Sequence, residues 1–383
     1  MDFAPSPELQ MLRDNVRRIA GRFGADYYLA ECRGGGRAQA LWDELATNGF
    51  LGVNIPEEYG GAGLGISELM WVSEEVAAQG CPMLLMLVSP AICGTILTKY
   101  GSPEQKAEFL PALAQGKKMA FAITEPNAGS NSHELETRAQ KVDGGYRLRG
   151  TKYYISGFDE AENVLVVART GSGPEGRRAE LGLFVVPTRA QGLRADHIPV
   201  EICAPEKQYT LFFDDVFVED ALMLGEPGQG LKQVFVGLQP ERILGASISN
   251  GLGRYALERA SQYANERKVW GVPIGSHQGV AFPLARAKIQ LELARLMTQK
   301  AAWLYDAGQD AAESANIAKF AAAEAGIEAL DAAIQTHGGN GFATEYKLAH
   351  LWGMARLLRT APVSREMILN YVSQHTLGLP RSY

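Results

Sequence analysis

Apolar residues recur every three or four positions early in the chain, as in Pro7-Glu-Leu-Gln-Met-Leu-Arg-Asp-Asn-Val-Arg-Arg-Ile19 and again over 37–48. That spacing predicts helices from residue 7 to about 117. Ser102 stands as the cap of a helix over 103–113, with Glu104 near its positive end, and Ser67 with Glu68 marks another helix start. Arg33-Gly-Gly-Gly-Arg37 follows no strand, so it reads as a linker rather than a phosphate loop. Near residue 118 the period changes to two. Met119, Phe121 and Ile123 alternate along 118–124, and apolar runs at 146–150, 151–157, 163–169, 181–187 and 210–216 are bounded by Gly, Asp and Pro. Short strands in this density imply a small β-sandwich or barrel, with a flexible hairpin loop over 169–178. The helical period returns from about 228. A segment over 240–268 carries Ile243, Leu244, Ile248, Leu252, Tyr255, Ala256 and Ala260 on related faces, and further helices cover 279–306 and 314–337. Long antiparallel helices predict a four-helix bundle. The chain reads as an α+β fold in three domains: helical over 1–117, β-sandwich or barrel over 118–224, helical bundle over 225–383.

Composition changes this picture little. A length of 383 residues suggests two or three packed units, and 46% hydrophobic with 21% charged residues is ordinary for a globular chain. A net charge of -6 argues against nucleic acid, which needs a basic face, and leaves room for a local basic patch. Cys32, Cys81, Cys93 and Cys203 lack metal or CxxC spacing and read as reduced thiols of a cytoplasmic protein. Met1-Asp-Phe-Ala-Pro-Ser-Pro7 lacks the basic start and apolar core of a secretion signal. The apolar run Cys81–Leu97 is interrupted by Pro82, Ser89, Pro90 and Gly94 and falls short of the ~20 residues of a membrane span. It predicts a buried helix, and no membrane partner is expected.

Candidate chemistry begins at Phe121-Ala-Ile-Thr-Glu-Pro-Asn-Ala-Gly-Ser130, a strand that breaks at Pro126 into small residues. Such a break is either a surface turn or a loop whose free N–H groups let a planar ligand approach the main chain. A second strand, Thr151-Lys-Tyr-Tyr-Ile-Ser-Gly157, also ends in a small polar pair. Gln335-Thr-His-Gly-Gly-Asn-Gly-Phe342 reads by itself as a helix C-cap.

Six stretches in order carry a resemblance: Ile55-Pro-Glu-Glu-Tyr-Gly-Gly61, Phe121–Ser130, Lys152-Tyr-Tyr-Ile-Ser156, Phe212-Phe-Asp-Asp-Val216, Glu266-Arg-Lys-Val-Trp-Gly271 and Gln335–Phe342. Together they resemble the marks of the acyl-CoA dehydrogenase family over nearly the whole chain. The resemblance implies FAD in the cleft between the β domain and the bundle. Phe121, Ile123 and Thr124 are then expected along the isoalloxazine, with Gly129 in the same loop and Ser130 contacting the coenzyme A portion of the substrate. Tyr154 and Ser156 stand where the family usually has Trp and Thr, which keeps an aromatic plane and a hydroxyl. Arg267, Gln278, Gln335, Gly338 and Gly339 resemble residues that reach FAD from a neighbouring subunit, which implies a homo-oligomer, dimer or tetramer.

In most of the family the catalytic base is a Glu followed by Gly near the last helix. Here Arg359-Thr-Ala-Pro-Val-Ser-Arg-Glu366 places Ala361 at that position and Pro362 at the glycine. A minority, including isovaleryl-CoA and long-chain dehydrogenases, carries the base in a Leu-x-x-Glu-Arg pattern on the long bundle helix, which Leu238-Gln-Pro-Glu-Arg242 matches. The resemblance therefore points to Glu241 as the base and Arg242 as a residue near coenzyme A; read without it, Glu241 is an ordinary helix glutamate. Pro240 predicts a helix start just before Glu241, where the dipole favours the carboxylate and burial opposes it. Glu366 is the other candidate base, and the N–H of Ala361 is expected to remain a donor for the thioester oxygen. The expected activity is FAD-dependent oxidation of an acyl-CoA to a trans-2-enoyl-CoA, with electrons leaving to an electron-transfer flavoprotein. The other readings are an enoyl-CoA reductase running in reverse, a catalytically silent FAD scaffold, and a relative acting on a substrate other than a thioester.

Overall fold

The computed structural model describes residues 4–172 and 179–381, so most of the expected 169–178 loop lies outside the described residues. The chain opens with α1 (Pro7–Gly34), α2 (Gln39–Thr47), α3 (Ile66–Ala77), α4 (Leu84–Met86), a π-helix over Leu87–Gly94, α5 (Thr95–Tyr100) and α6 (Pro103–Ala114). Ser102 caps α6 as expected: its Oγ accepts from the Gln105 N–H at 3.2 Å, and Gln105 reaches back to the Ser102 N–H at 2.9 Å. Ser67, however, is not a cap. Helix α3 starts at Ile66, and the Asp306 carboxylate accepts the N–H groups of Ile66 and Ser67, each at 2.8 Å. A cap supplied from another part of the chain leaves no local sequence signal. The 81–97 run is largely buried as expected, but its helix passes through three contiguous pieces, α4, the π-helix that contains Pro90, and the start of α5. No described helix is long and apolar enough to cross a membrane.

The strands are β1 (Met119–Ala122), β2 (Arg138–Val142), β3 (Gly145–Ser156), β4 (Asn163–Ser172), β5 (Ala179–Pro187), β6 (Leu193–Ile198), β7 (Gln208–Glu219) and β8 (Met223–Leu224). The runs 146–150 and 151–157 thus belong largely to one strand. The order is β6-β7-β3-β2-β4-β5-β8, with β1 also on β4. Strands β2 and β4 share a single residue pair, Arg138 with Arg169, and the sheet folds over there into two layers of four strands. Leu148, Val164, Val166, Phe184, Leu211 and Val216 fill the space between the layers. Alternate residues of β4 and β5, such as Leu165, Val167, Leu183 and Val185, face the other way into the helical core. This is the expected sandwich, seated on the helices by its second face.

The remainder is α7 (Gly230–Glu266), α8 (Gln278–Asp306), α9 (Ala312–His337), α10 (Trp352–Thr360) and α11 (Arg365–Tyr371). Three long helices form the bundle, with the two short ones beside α9. Helix α7 begins well before Pro240, so the expected helix start is corrected: Glu241 lies about three turns inside, beyond the reach of the terminal dipole. Pro240 has no N–H for the Val236 carbonyl one turn back. The Tyr305 hydroxyl of α8 donates to that carbonyl at 3.1 Å instead, which is how the helix runs on through a proline.

Candidate active site

The loop after β1 is held by a buried ion pair. The Glu125 carboxylate accepts from Lys152 Nζ at 2.8 Å and from the N–H groups of Glu136 and Thr137 at 2.6 and 3.0 Å. Lys152 also donates to the Ile123 carbonyl at 2.9 Å, and the Tyr153 N–H donates to the Thr124 carbonyl at 2.8 Å. Burial works against the ionised Glu125, but Lys152 and the hydrogen bonds outweigh it and hold its pKa below the ordinary value. Burial also pulls Lys152 down to about 8, opposed by Glu125, so the pair is ionic at neutral pH. Phe121 is buried, Ile123 and Thr124 are half-buried, and Gly129 and Ser130 are exposed. The N–H groups of Thr124, Gly129 and Ser130 and the Thr124 hydroxyl have no hydrogen-bond partner among the described residues. Opposite them, the pairing of β3 with β7 slips between Lys152 and Ile155. Tyr154 sits in that bulge at φ 57°, with its ring turned out and 53% exposed. The Ser156 hydroxyl donates to Gln208 Oε1 at 2.9 Å, which leaves its oxygen free to accept.

A second wall comes from α7. Glu241 is half-buried, and its carboxylate makes no hydrogen bond or ion pair among the described residues. Burial raises its pKa to about 7, while the charges of Arg242 and Lys319 pull the other way. Arg242 is likewise without an ion pair, and its Nε is buried with no partner. Gly237 and Gly245 flank Glu241 one helical turn to either side. A Cβ on Gly237 would fall 2.8 Å from Ile96, and one on Gly245 would fall 3.4 Å from Pro362 and 3.7 Å from Leu87. The two glycines thus let α5, the π-helix and the 361–363 segment close in around the carboxylate. This brings Ala361 and Glu241 into one neighbourhood. The expectation that the Ala361 N–H is a free donor is corrected, because it donates to the Leu357 carbonyl at 2.8 Å and ends α10.

The π-helix joins the two walls. Its Ser89 hydroxyl accepts the Met119 N–H at 3.1 Å, and Cys93 Sγ donates to the Ala120 carbonyl at 3.6 Å. Burial, and after it the charge of Glu241, raise the pKa of the Cys93 thiol, so the thiol that bonds β1 also lies within electrostatic reach of that carboxylate. Arg267, Gln278, Gln335, Gly338 and Gly339 are elsewhere. All five are exposed. Asn340 donates to the Tyr263 hydroxyl at 3.1 Å, which draws the glycine turn to the Arg267 end of α7. At 1.5 Å per residue that end is about 39 Å along the helix from Glu241.

Domain profiles decide the family. The acyl-CoA dehydrogenase N-terminal, middle and C-terminal domains match residues 6–117, 120–216 and 228–377. The chain belongs to the acyl-CoA dehydrogenase family. It is an oxidoreductase, and its cofactor is FAD. Over 384 residues it is 51% identical to acyl-CoA dehydrogenase FadE12 of Mycobacterium tuberculosis H37Rv, covering 100% of this chain and 99% of that one. A structure of glutaryl-CoA dehydrogenase with glutaryl-CoA superposes with a TM-score of 0.94 at 28% identity, covering 100% of this chain and 98% of the other. An FAD complex of PigA superposes with a TM-score of 0.93 at 25% identity, covering 99% and 100%. The residues fit the cofactor: unpartnered N–H groups and a hydroxyl line one edge, and an outward aromatic ring faces them.

Three participants were not singled out from the sequence: the Glu125–Lys152 clamp, Cys93 and Lys319. Lys152 interrupts an apolar strand at an inward position, and Lys319 interrupts a face of α9 made of Ala315, Ala318 and Ala322. A lone charge on an otherwise apolar face is the signal both carried.

Proposed function

We propose that this chain oxidises acyl-CoA thioesters to trans-2-enoyl-CoA, with Glu241 as the base that removes the α-proton. The state of Glu241 carries the reading: a carboxylate without a protein partner among the described residues, with its pKa raised to about 7 and a glycine one turn to either side. A base that titrates near neutrality is matched to abstracting a proton from carbon beside a thioester. FAD, when bound, accepts hydride from Cβ. Ala361 presents only a methyl where a second carboxylate would compete for the same proton. The unpaired Arg242 suits an anionic coenzyme A, and the Ser130 hydroxyl at the loop's outer edge suits its polar portion. Phe121, Ile123, Thr124, Gly129, Tyr154 and Ser156 hold the flavin.

Arg267, Gln278, Gln335, Gly338 and Gly339 lie too far along the molecule to serve that same flavin, which supports their acting on the FAD of a second copy. Helix α8 offers the surface for it. Phe282, Ile289, Leu293, Leu296 and Trp303 form one exposed apolar face of a kind that oligomers bury. The working unit is therefore a homo-oligomer, and the electrons pass on to an electron-transfer flavoprotein.

The test is anaerobic mixing of the purified protein with straight and branched acyl-CoA thioesters while flavin absorbance is followed. The expected result is bleaching by at least one thioester. If the flavin stays oxidised with all of them, and the chemically reduced enzyme is reoxidised by an enoyl-CoA, the reductase reading replaces this one. Bound flavin that answers neither is the result expected of a scaffold.

A further inference from the structure

Lys319 is 1% exposed, a burial that lysine rarely tolerates without a partner. Its only hydrogen bond among the described residues runs from Nζ to the Val363 carbonyl, two residues past Ala361. The charged groups around it come from three elements: Glu241 and Arg242 on α7, Glu324 on its own helix, and Glu366 on α11. Glu324 is committed to Arg359 at 2.8 Å and to Arg365 at 3.5 Å, and Glu366 is exposed and paired with Arg365 at 3.5 Å. The one anion near Lys319 with no other partner is Glu241. From its side, Glu241 faces two cations, Arg242 and Lys319, and the buried thiol of Cys93. Arg242 makes no ion pair among the described residues, whereas Lys319 is held in place by its carbonyl.

We propose that Lys319 is a positioning residue of this site: its buried ammonium ties the 361–363 segment to α9 and supplies the fixed positive charge that keeps Glu241 ionised when substrate closes the cleft. This rests on Glu241 being the base. Desolvation by substrate favours the neutral carboxyl, and a nearby fixed cation opposes that drift. Burial lowers the pKa of Lys319 to about 8, with Glu241 opposing the fall, so the ammonium is charged through the range in which Glu241 titrates.

The experiment is the pH dependence of anaerobic flavin reduction by the best acyl-CoA, in the wild type, Lys319→Gln, Lys319→Arg and Glu241→Gln. Glutamine offers an amide donor toward the Val363 carbonyl and removes the charge. Its acid limb is expected to move up by about one pH unit, with the rate recovering at high pH, while Lys319→Arg leaves the limb in place. A rate lowered equally at every pH, or an unmoved limb, overturns the proposal and leaves Lys319 a structural strut. Should Lys319→Gln yield no folded flavoprotein, Lys319→Met supplies the same reading, because an apolar side chain suits the burial. The Glu241→Gln rate separates the two claims. If it matches the wild type, the base assignment fails and takes Lys319 with it. If it is abolished while the Lys319→Gln limb stays put, only the role of Lys319 fails.

Discussion

Glu241, the proposed base, is held where folding and the proposed chemistry pull in opposite directions. Its folded pKa of about 7 lies above the ordinary carboxylate value, so the folded state binds the proton more tightly than the unfolded chain does. The sign is therefore a penalty: absent below the ordinary value, growing as pH rises toward 7, and complete above it. A rise of that size corresponds to at most about 3 kcal/mol. Glu241→Gln is accordingly expected to unfold at higher denaturant than the wild type at pH 8 and at nearly the same denaturant at pH 4.5, measured at equal FAD content. Its Leu-x-x-Glu-Arg setting is what singles Glu241 out for that proposal, but its position within the helix was not legible. A proline before a glutamate reads as a helix start. It is an interior turn here because the Tyr305 hydroxyl, from a distant part of the chain, takes up the carbonyl that Pro240 orphans.

Among the elements, β3 does the most to shape the site. Local pattern read it as two strands, since Gly150 falls between two apolar runs. The structure continues through that glycine, whose φ of 147° and closeness to Thr137 suit no other residue. Further on, the bulge turns Tyr154 out and leaves Lys152 pointing in, to Glu125. The strand thereby fixes the loop after β1, the proposed flavin loop. Removing one partner of a buried pair leaves the other charge uncompensated, so Lys152→Met is expected to cost about 3–5 kcal/mol. It should also loosen the loop, which predicts purification with much less FAD; flavin-to-protein absorbance and thermal unfolding check both. The clamp escaped sequence reading because its two members lie on separate strands, and only the folded sheet brings them together.

At the scale of the molecule, the helical, β, helical order was legible because the hydrophobic period changes abruptly near 118 and 228. What joins those parts was not. Glu74 and Glu75 of α3 are fully buried and are reached by Arg254 of α7 at 2.7 and 3.2 Å, with Arg13 of α1 on Glu75 at 2.8 Å. These contacts fasten the first helices to the bundle. The apolar face of α8 predicts the next level of assembly: Ile289→Asp with Leu293→Asp should lower the molar mass seen by light scattering and release FAD together with it. A variant that dissociates yet keeps its FAD would show that one copy suffices. The proposed chemistry turns on one carboxylate, and α-proton exchange reads it most directly. Acyl-CoA incubated with the enzyme in D2O and recovered for mass spectrometry should gain deuterium at Cα with the wild type. With Glu241→Gln the exchange should fall by about 10²–10⁴-fold. Undiminished exchange in Glu241→Gln, with loss in Glu366→Gln, would contradict the account and move the base to α11.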